Sequence, residues 1–99
     1  MHYKFDWDPI KEAKNIRKHK LDFRRAATVF HDPNQVSIYD EGHSKTEDRW
    51  VTIGIDSNGV LRVIVHTYEQ ITDSLYEICI ISARKSTKKE AKHYRERQV

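Results

Sequence analysis

The side chains of this 99-residue chain that could carry chemistry are arginine, lysine, histidine and tyrosine. The sequence has no Walker loop, dinucleotide-binding glycine pattern, HExxH motif or serine-centred elbow. Its six histidines are scattered, and none lies at a helical metal-ligand spacing from another histidine or from the single cysteine, Cys79. We therefore expect no metal site, no cofactor and no internal disulfide.

A set of cationic and imidazole side chains suits metal-free cleavage of RNA. In that reaction the ribose 2′-hydroxyl attacks the adjacent phosphate. A base must take its proton, an acid must assist the leaving oxygen, and cations must hold the charge that develops on phosphorus. Arginine suits the last role because its planar guanidinium binds phosphate oxygens in a bidentate manner. Histidine suits proton transfer because its ordinary pKa is close to neutral.

Five residues are candidates for catalysis by type and position, namely Lys18, His19, Arg49, His66 and Arg84. Arg84 ends the most apolar segment and precedes a helix start, and a helix N-terminus is a good place for phosphate. Arg49 begins a predicted strand after an acidic loop. His66 shares a strand face with Arg62, so it is a candidate acid or base if that face is open.

Each candidate also has a structural explanation. Arg49 can form a salt bridge with the acidic residues just before it, and Arg84 can pack between helix and sheet. Lys18 and His19 lie near a helix end, where the helix dipole favours positive charge. His66 can equally be a surface histidine that takes part in no reaction.

The charge distribution suggests where a polyanion would bind. The net charge is +4 over residues 1–31, −6 over residues 32–83 and +5 over residues 84–99. If both basic ends fold onto one side, they form a surface suited to a phosphate backbone, although such runs also occur as ordinary solvated helix faces. The residues predicted to contact RNA are Arg62, Lys85, Lys88, Lys89, Lys92 and Tyr94.

Two short helices are predicted near the N-terminus. Asp8 is a good N-cap for a helix over residues 9–18, and Asp22 caps a second helix over residues 23–30. The apolar residues that share one side are Ile10, Ala13 and Ile16 in the first helix, and Phe23, Ala26, Ala27 and Phe30 in the second.

Four strands are predicted next, with a loop at residues 40–48, a tight Asn-Gly turn and a loop at residues 69–75. The strands are residues 35–39, 49–55, 60–68 and 77–84. Strands joined by hairpins imply an antiparallel sheet with helices on one face and an open, concave basic surface on the other.

The chain is predicted to finish with a basic helix over residues 88–97. Thr87 and Glu90 form a capping box, and Ala91 and Tyr94 can pack inward. The Tyr94 hydroxyl is expected in water, and its ring can stack on a base. The predicted fold is thus one α+β domain over residues 1–99, with two N-terminal helices, a four-stranded antiparallel sheet and a C-terminal helix.

The sequence also indicates a compartment. No stretch resembles a signal peptide, and none is long enough to span a membrane. A lone cysteine fits a reducing environment. We therefore expect a cytoplasmic protein with no membrane partner.

Five segments, in order along nearly the whole chain, have the spacing of a known set of motifs. They are Phe5-Asp6-Trp7-Asp8; Lys14-Asn15 with Lys18-His19; residues 23–30 with Asp32-Pro33; Glu47-Asp48-Arg49-Trp50 with Ile53-Gly54; and Ile80-Ile81-Ser82-Ala83-Arg84-Lys85 with Glu90 and Tyr94. Together they resemble the BrnT family of toxins from bacterial type II toxin–antitoxin pairs.

The resemblance implies a RelE-like fold and a metal-independent endoribonuclease that inhibits translation. It implies a BrnA-type antitoxin with a DNA-binding domain, and operator DNA bound only through the toxin–antitoxin complex, with a toxin dimer as one arrangement of that complex. It supports Lys18, His19, Arg49 and Arg84 as site candidates, with Tyr94 beside them.

The sequence departs from the family pattern at Cys79, where members commonly carry an arginine. One phosphate-binding cation is therefore missing, unless Arg62 or Arg84 supplies its charge. This departure motivates an alternative function, a weakened toxin homologue that acts as an antitoxin- or RNA-binding module. A further alternative is a housekeeping RNA-binding protein without an antitoxin.

Overall fold

The computed structural model describes residues 2–43 and 46–97, which contain three α-helices and six strands. In chain order the elements are β1 (His2–Trp7), α1 (Pro9–His19), α2 (Phe23–Ala27), a 3-10 turn (Thr28–His31), β2 (Val36–Tyr39), a 3-10 turn (Glu41–His43), β3 (Arg49–Ile55), β4 (Leu61–Thr67), β5 (Glu69–Gln70), β6 (Leu75–Lys85) and α3 (Lys88–Glu96). The predicted α+β class is confirmed.

The strands form one mixed sheet of order β1-β6-β4-β3-β2, with β5 paired to β6. β1 runs parallel to β6, and the other neighbours are antiparallel. The prediction of four antiparallel strands is therefore wrong in strand number and in the direction of one strand. It missed β1 and placed β5 in a loop.

β1 has a sequence signal of its own. Tyr3, Phe5 and Trp7 are half-buried and alternate with exposed polar residues, the period-two pattern of a strand that packs on one face. Each β1 residue pairs with a β6 residue 73 positions later, as His2 does with Leu75. Local sequence can therefore suggest the strand but not its parallel partner.

The predicted helix starts are confirmed. Asp8 accepts a hydrogen bond from the Ile10 N–H at 2.8 Å, and Asp22 accepts one from the Arg25 N–H at 2.7 Å. α2 is shorter than predicted, because the Thr28 hydroxyl donates to the Arg25 carbonyl at 2.6 Å and the chain tightens into a 3-10 turn.

Helices cover both faces of the sheet. α2 and the turn after it pack on the face that includes Ile64, whereas α3 packs through Tyr94 on the face that includes Val63. Consecutive strand residues point to opposite faces, so α3 lies opposite α2. The expectation that all helices share one face is wrong. On the sheet face where α3 packs, the part around Cys79 is only partly covered.

The α1 side with Ile10 and Ile16 faces solvent, because this helix instead turns Asn15 toward the sheet. The Asn-Gly turn is confirmed, with Gly59 at φ 77°. Gly54 fits where β3 meets the 3-10 turn, since a Cβ there would lie 2.8 Å from Val29 Cγ1. The predicted loop at residues 40–48 contains the Glu41–His43 turn, and positions 44 and 45 lie outside the described residues.

Candidate active site

A groove lies between α1 and the C-terminal end of β6. We call it the basic groove; its polar lining residues are Lys11, Lys14, Asn15, Lys18, His19, Ser82 and Arg84. Its volume is about 450 Å³. Three of the predicted catalytic residues, Lys18, His19 and Arg84, thus lie together. The sequence interpretation did not single out Lys11 or Lys14, which precede Lys18 by seven and four positions and lie on the same helix side.

Asn15 fixes α1 against β6. Its side-chain amide donates to the carbonyls of Ala83 (2.9 Å) and Leu21 (3.0 Å), and its Oδ1 accepts from the Ala83 N–H at 3.0 Å. The β1 pairing ends at Ile80, and Asn15 supplies hydrogen bonds to β6 beyond that point, at Ala83. This paired contact sets the rotation of α1 and thereby turns its lysines toward Ser82 and Arg84.

Arg84 joins β6 to the start of α3. Its Nη1 and Nη2 donate to Glu90 Oε1 and Oε2 at 2.7 and 2.9 Å, and Nη1 also donates to the Lys85 carbonyl. The hydrogen bonds from Arg84 lower the pKa of Glu90 to about 2, and the same contact raises the pKa of Arg84. These contacts show that Arg84 packs between the sheet and α3, as predicted.

Arg84 retains capacity for a ligand. A guanidinium has five N–H donors, and three are engaged by Glu90 and Lys85. The other two make no hydrogen bond to the described residues, and the side chain is 38% exposed. Glu90 also forms the predicted capping box with Thr87. Because the capping box holds the Glu90 carboxylate in place, the carboxylate in turn orients the Arg84 guanidinium.

Arg49 lies outside the basic groove. It pairs in the sheet with Thr67, whereas Arg84 pairs with Val63 on the other side of β4. Four residues along a strand span about 13 Å, and two strand spacings add about 10 Å sideways. Arg49 Nε lies 3.4 Å from Glu47 Oε1, so the predicted salt bridge is present.

His66 does not lie on an open face, contrary to the condition for its candidacy. It is 2% exposed, and its ring meets Phe30 edge-on with centroids 4.9 Å apart. Nδ1 lies 2.9 Å from the Thr67 carbonyl, so Nδ1–H donates there and Nε2 accepts from Thr52 Oγ1 at 2.6 Å. Burial lowers the pKa of His66 to about 4, which makes it a neutral core residue.

Arg62 and Tyr94, two predicted RNA contacts, are also buried. Arg62 Nε donates to Asp56 Oδ2 at 2.9 Å. Burial alone would raise the pKa of Asp56, but the bonds from Arg62 and the backbone lower it below its ordinary value. The Tyr94 hydroxyl donates to Asp32 Oδ2 at 2.7 Å, so it is not in water, and burial with this contact raises its pKa to about 12.

The four lysines of the predicted RNA surface, Lys85, Lys88, Lys89 and Lys92, are exposed. Lys92 Nζ lies 3.8 Å from Glu96. The other three surround the start of α3, next to Arg84. They extend the positive surface of the basic groove across the N-terminus of that helix.

Cys79 lies on the same sheet face as Arg84. Ile78, Ile80 and Ala83 of β6 point into the α2 core, whereas Cys79 is half-buried on the opposite face and pairs in the sheet with Asp6. Burial raises the pKa of its thiol. An arginine at this position would add a cation to the face that carries Arg84.

In the described part of the chain, no three His, Cys, Asp or Glu side chains are grouped so as to hold a metal ion. None of the helices in residues 2–43 and 46–97 has the length and apolarity to span a membrane.

The fold and the basic groove define a small α+β protein with a cationic surface of the kind that holds a phosphate backbone. A family model described as "Ribonuclease toxin, BrnT, of type II toxin-antitoxin system" matches residues 7–90. The chain therefore belongs to the BrnT family of ribonuclease toxins, and membership in a type II toxin–antitoxin family implies an antitoxin partner.

The structure is similar to the crystal structure of the Brucella abortus ribonuclease toxin BrnT. The TM-score is 0.58 at 21% identity, and the match covers 88% of this chain and 100% of the Brucella chain. At this identity the likeness shows the fold alone. A comparison with curated proteins found no relative of significant sequence similarity.

Proposed function

We propose that the protein is a cytoplasmic, RelE-like endoribonuclease toxin that cleaves RNA in the basic groove, without a metal ion, and thereby inhibits translation. The observation that carries the proposal is the meeting of Lys18, His19 and Arg84 in one groove. These residues come from segments more than sixty positions apart, and both segments resemble motifs of the family.

Each side chain has a role that its chemistry supports. The two remaining N–H donors of Arg84 hold the non-bridging oxygens of the scissile phosphate. The α1 lysines attract the RNA backbone and hold the flanking phosphates. His19 is the groove residue suited to move a proton, either from the 2′-hydroxyl or to the leaving oxygen. Arg49 lies outside the groove beside Glu47, and this scheme gives it no part.

Cleavage of a labelled RNA by purified variants tests these roles. His19→Ala should lower the rate about 100-fold or more, as expected for loss of a general acid or base. Arg84→Ala should lose about 100-fold, and Arg84→Lys should lose less because it retains the charge. The matched control is Arg17→Ala, an exposed α1 cation outside the groove, which should stay within about twofold of wild type.

Arg84 also holds Glu90, so circular dichroism must show that its variants are folded. Cleavage should persist in a chelator, as metal independence requires. If His19→Ala and Lys18→Ala cleave like wild type while remaining folded, the groove is not the active site. If wild type neither degrades RNA nor slows growth, enzymatic activity itself is wrong.

The second candidate function is a weakened toxin homologue that binds RNA or antitoxin without efficient cleavage. Cys79 favours it, since this residue replaces a cation on the face that carries Arg84. Salt-sensitive RNA binding without products would support it. Cys79→Arg should then increase cleavage, whereas Cys79→Gln, of similar length but neutral, should not.

We propose a BrnA-type DNA-binding antitoxin as the partner, with operator DNA bound only through the complex. Growth arrest by the toxin alone, relieved by co-expression of a neighbouring antitoxin gene, is the expected result. A genome context with no such gene would favour the housekeeping RNA-binding alternative.

A further inference from the structure

Five aromatic side chains form a continuous row across the sheet, from one edge strand to the other. We call it the aromatic row; its members are Tyr3, Tyr76, Tyr68, Trp50 and Tyr39. Successive ring centroids are 6.4, 5.0, 6.5 and 5.3 Å apart. The proposed catalysis uses none of these residues.

The row is accessible and has a cavity beneath it. Tyr39 and Tyr68 are 38% and 39% exposed. The cavity has a volume of about 260 Å³ and is lined by Tyr3, Phe30, Gln35, Trp50 and Tyr68, among others. Surface tyrosine and tryptophan side chains around a pocket are typical of protein interfaces, where one partner residue anchors in the pocket.

The row does not enter the basic groove, and its Tyr76 end lies far from Arg84 along β6. Tyr76 precedes Arg84 in β6 by eight residues, which span about 26 Å. The two loops that border the row are acidic. Residues 40–48 contain four acidic residues and one lysine, and residues 68–77 contain three acidic residues and no lysine or arginine. The Tyr39 hydroxyl donates to one of these carboxylates, Asp48, at 2.9 Å.

An acidic border disfavours a polyanion and favours a cationic partner. Arginine and lysine side chains bind well over tyrosine and tryptophan faces when carboxylates lie close by. A segment that combines cationic and apolar side chains would therefore match both the rings and the carboxylates.

We propose that the aromatic row docks a segment of the antitoxin that carries arginine or lysine beside an apolar anchor residue. This rests on the toxin–antitoxin function proposed above. The antitoxin is then held beside the acidic loops, and at Tyr76 it lies about 26 Å along β6 from Arg84. Contact with the row provides affinity and specificity, and it does not compete with RNA for the groove residues.

Titration of purified toxin variants with the antitoxin encoded beside the gene tests the proposal. Tyr39→Ser and Tyr68→Ser should each weaken binding about tenfold, as truncation of an interface anchor does. Glu69→Lys should weaken it through repulsion. Ile55→Ser is the matched control, because Ile55 is 40% exposed at the far end of β3, and binding should change by less than about twofold.

Two further measurements separate the outcomes. The fluorescence emission of Trp50, obtained as the difference between the spectra of wild type and Trp50→Phe, should shift when the antitoxin binds. RNA cleavage by Tyr68→Ser should equal that of wild type. If wild type does not cleave RNA but still binds the antitoxin through the row, only the proposed ribonuclease function is contradicted.

The proposal is overturned if wild type does not bind the antitoxin, or if the row variants bind it as tightly as Ile55→Ser does. It is also overturned if Tyr68→Ser instead weakens binding of a single-stranded oligouridine, since the row would then be an RNA-stacking surface.

Discussion

His66 illustrates how surroundings determine what a titratable residue does. Its pKa of about 4 arises from burial against Phe30, although the bond to the Thr67 carbonyl opposes the shift. The folded protein therefore resists protonation of this imidazole, whereas the unfolded chain accepts a proton near pH 6.5. Stability from the neutral ring is full above about pH 6.5 and declines as the pH falls toward 4.

We expect the unfolding free energy of wild type to fall by roughly 3 kcal/mol between pH 6.5 and 4, given about 1.4 kcal/mol per pKa unit. His66→Gln keeps a polar side chain that does not titrate, so it should be less stable at neutral pH but lose this slope. Urea denaturation at several pH values measures both. An equal slope in the two proteins would show that His66 is not the responsible group.

The residues of the candidate site differ in how far sequence could identify them. Lys18, His19 and Arg84 were predicted from their positions at element ends and from the family resemblance. Lys11 and Lys14 were missed because the rotation of α1 depends on Asn15 and Ala83. The burial of His66 was missed for a similar reason, since a strand face is open or covered only according to which helices pack there.

Among the elements, helix starts were the most predictable feature because their causes are local. Asp8, Asp22 and Thr87 each accept a hydrogen bond from a backbone N–H two or three residues ahead. The parallel pairing of β1 and the position of α3 on the second face depend on residues far apart in sequence, so propensity alone did not reveal them.

The α3 cap gives a prediction at this scale. Thr87→Ala removes the acceptor for the Glu90 N–H and should lower the unfolding free energy by about 1 kcal/mol. The Thr87 N–H still donates to Glu90 Oε1 in this variant, but the looser start of α3 holds Glu90 and Arg84 less firmly, so RNA cleavage should weaken along with stability. Lys88→Ala, an exposed change one residue later, is the control for denaturation only, because Lys88 belongs to the predicted RNA surface. If Thr87→Ala is destabilised but cleaves RNA like wild type, the cap does not contribute to the site.

For the whole molecule, the separation of charge is the main functional feature. The basic groove lies between α1 and the end of β6, whereas the acidic residues gather in the loops at 40–48 and 68–77, beside the aromatic row. The start of α3 lies between them, since Lys89 lines a pocket with Tyr39 and Asp40. Such polarity orients a phosphate backbone before any specific contact forms. Composition predicted basic ends and an acidic middle, but only the fold shows which of these segments lie together on the surface.

The salt dependence of RNA binding should report this polarity. If Lys14 contacts one phosphate, Lys14→Ala should reduce the slope of log K against log salt by about 0.7, the value for one contact on a single strand. Lys4→Ala removes an exposed lysine near Glu77 outside the groove and should leave the slope unchanged. Binding of short RNA at several salt concentrations measures both, and equal slopes for all three proteins would place the RNA elsewhere.

The pairing of Asn15 with Ala83 has a consequence for the timing of synthesis. The two residues are 68 positions apart, and β1 likewise cannot pair until β6 has been synthesised. On the ribosome, α1 emerges long before β6, and contacts between distant segments form late. A nascent chain that lacks β6 therefore has neither the central strand between β1 and β4 nor the groove. Any cleavage that needs the groove therefore begins only after β6 has emerged and paired.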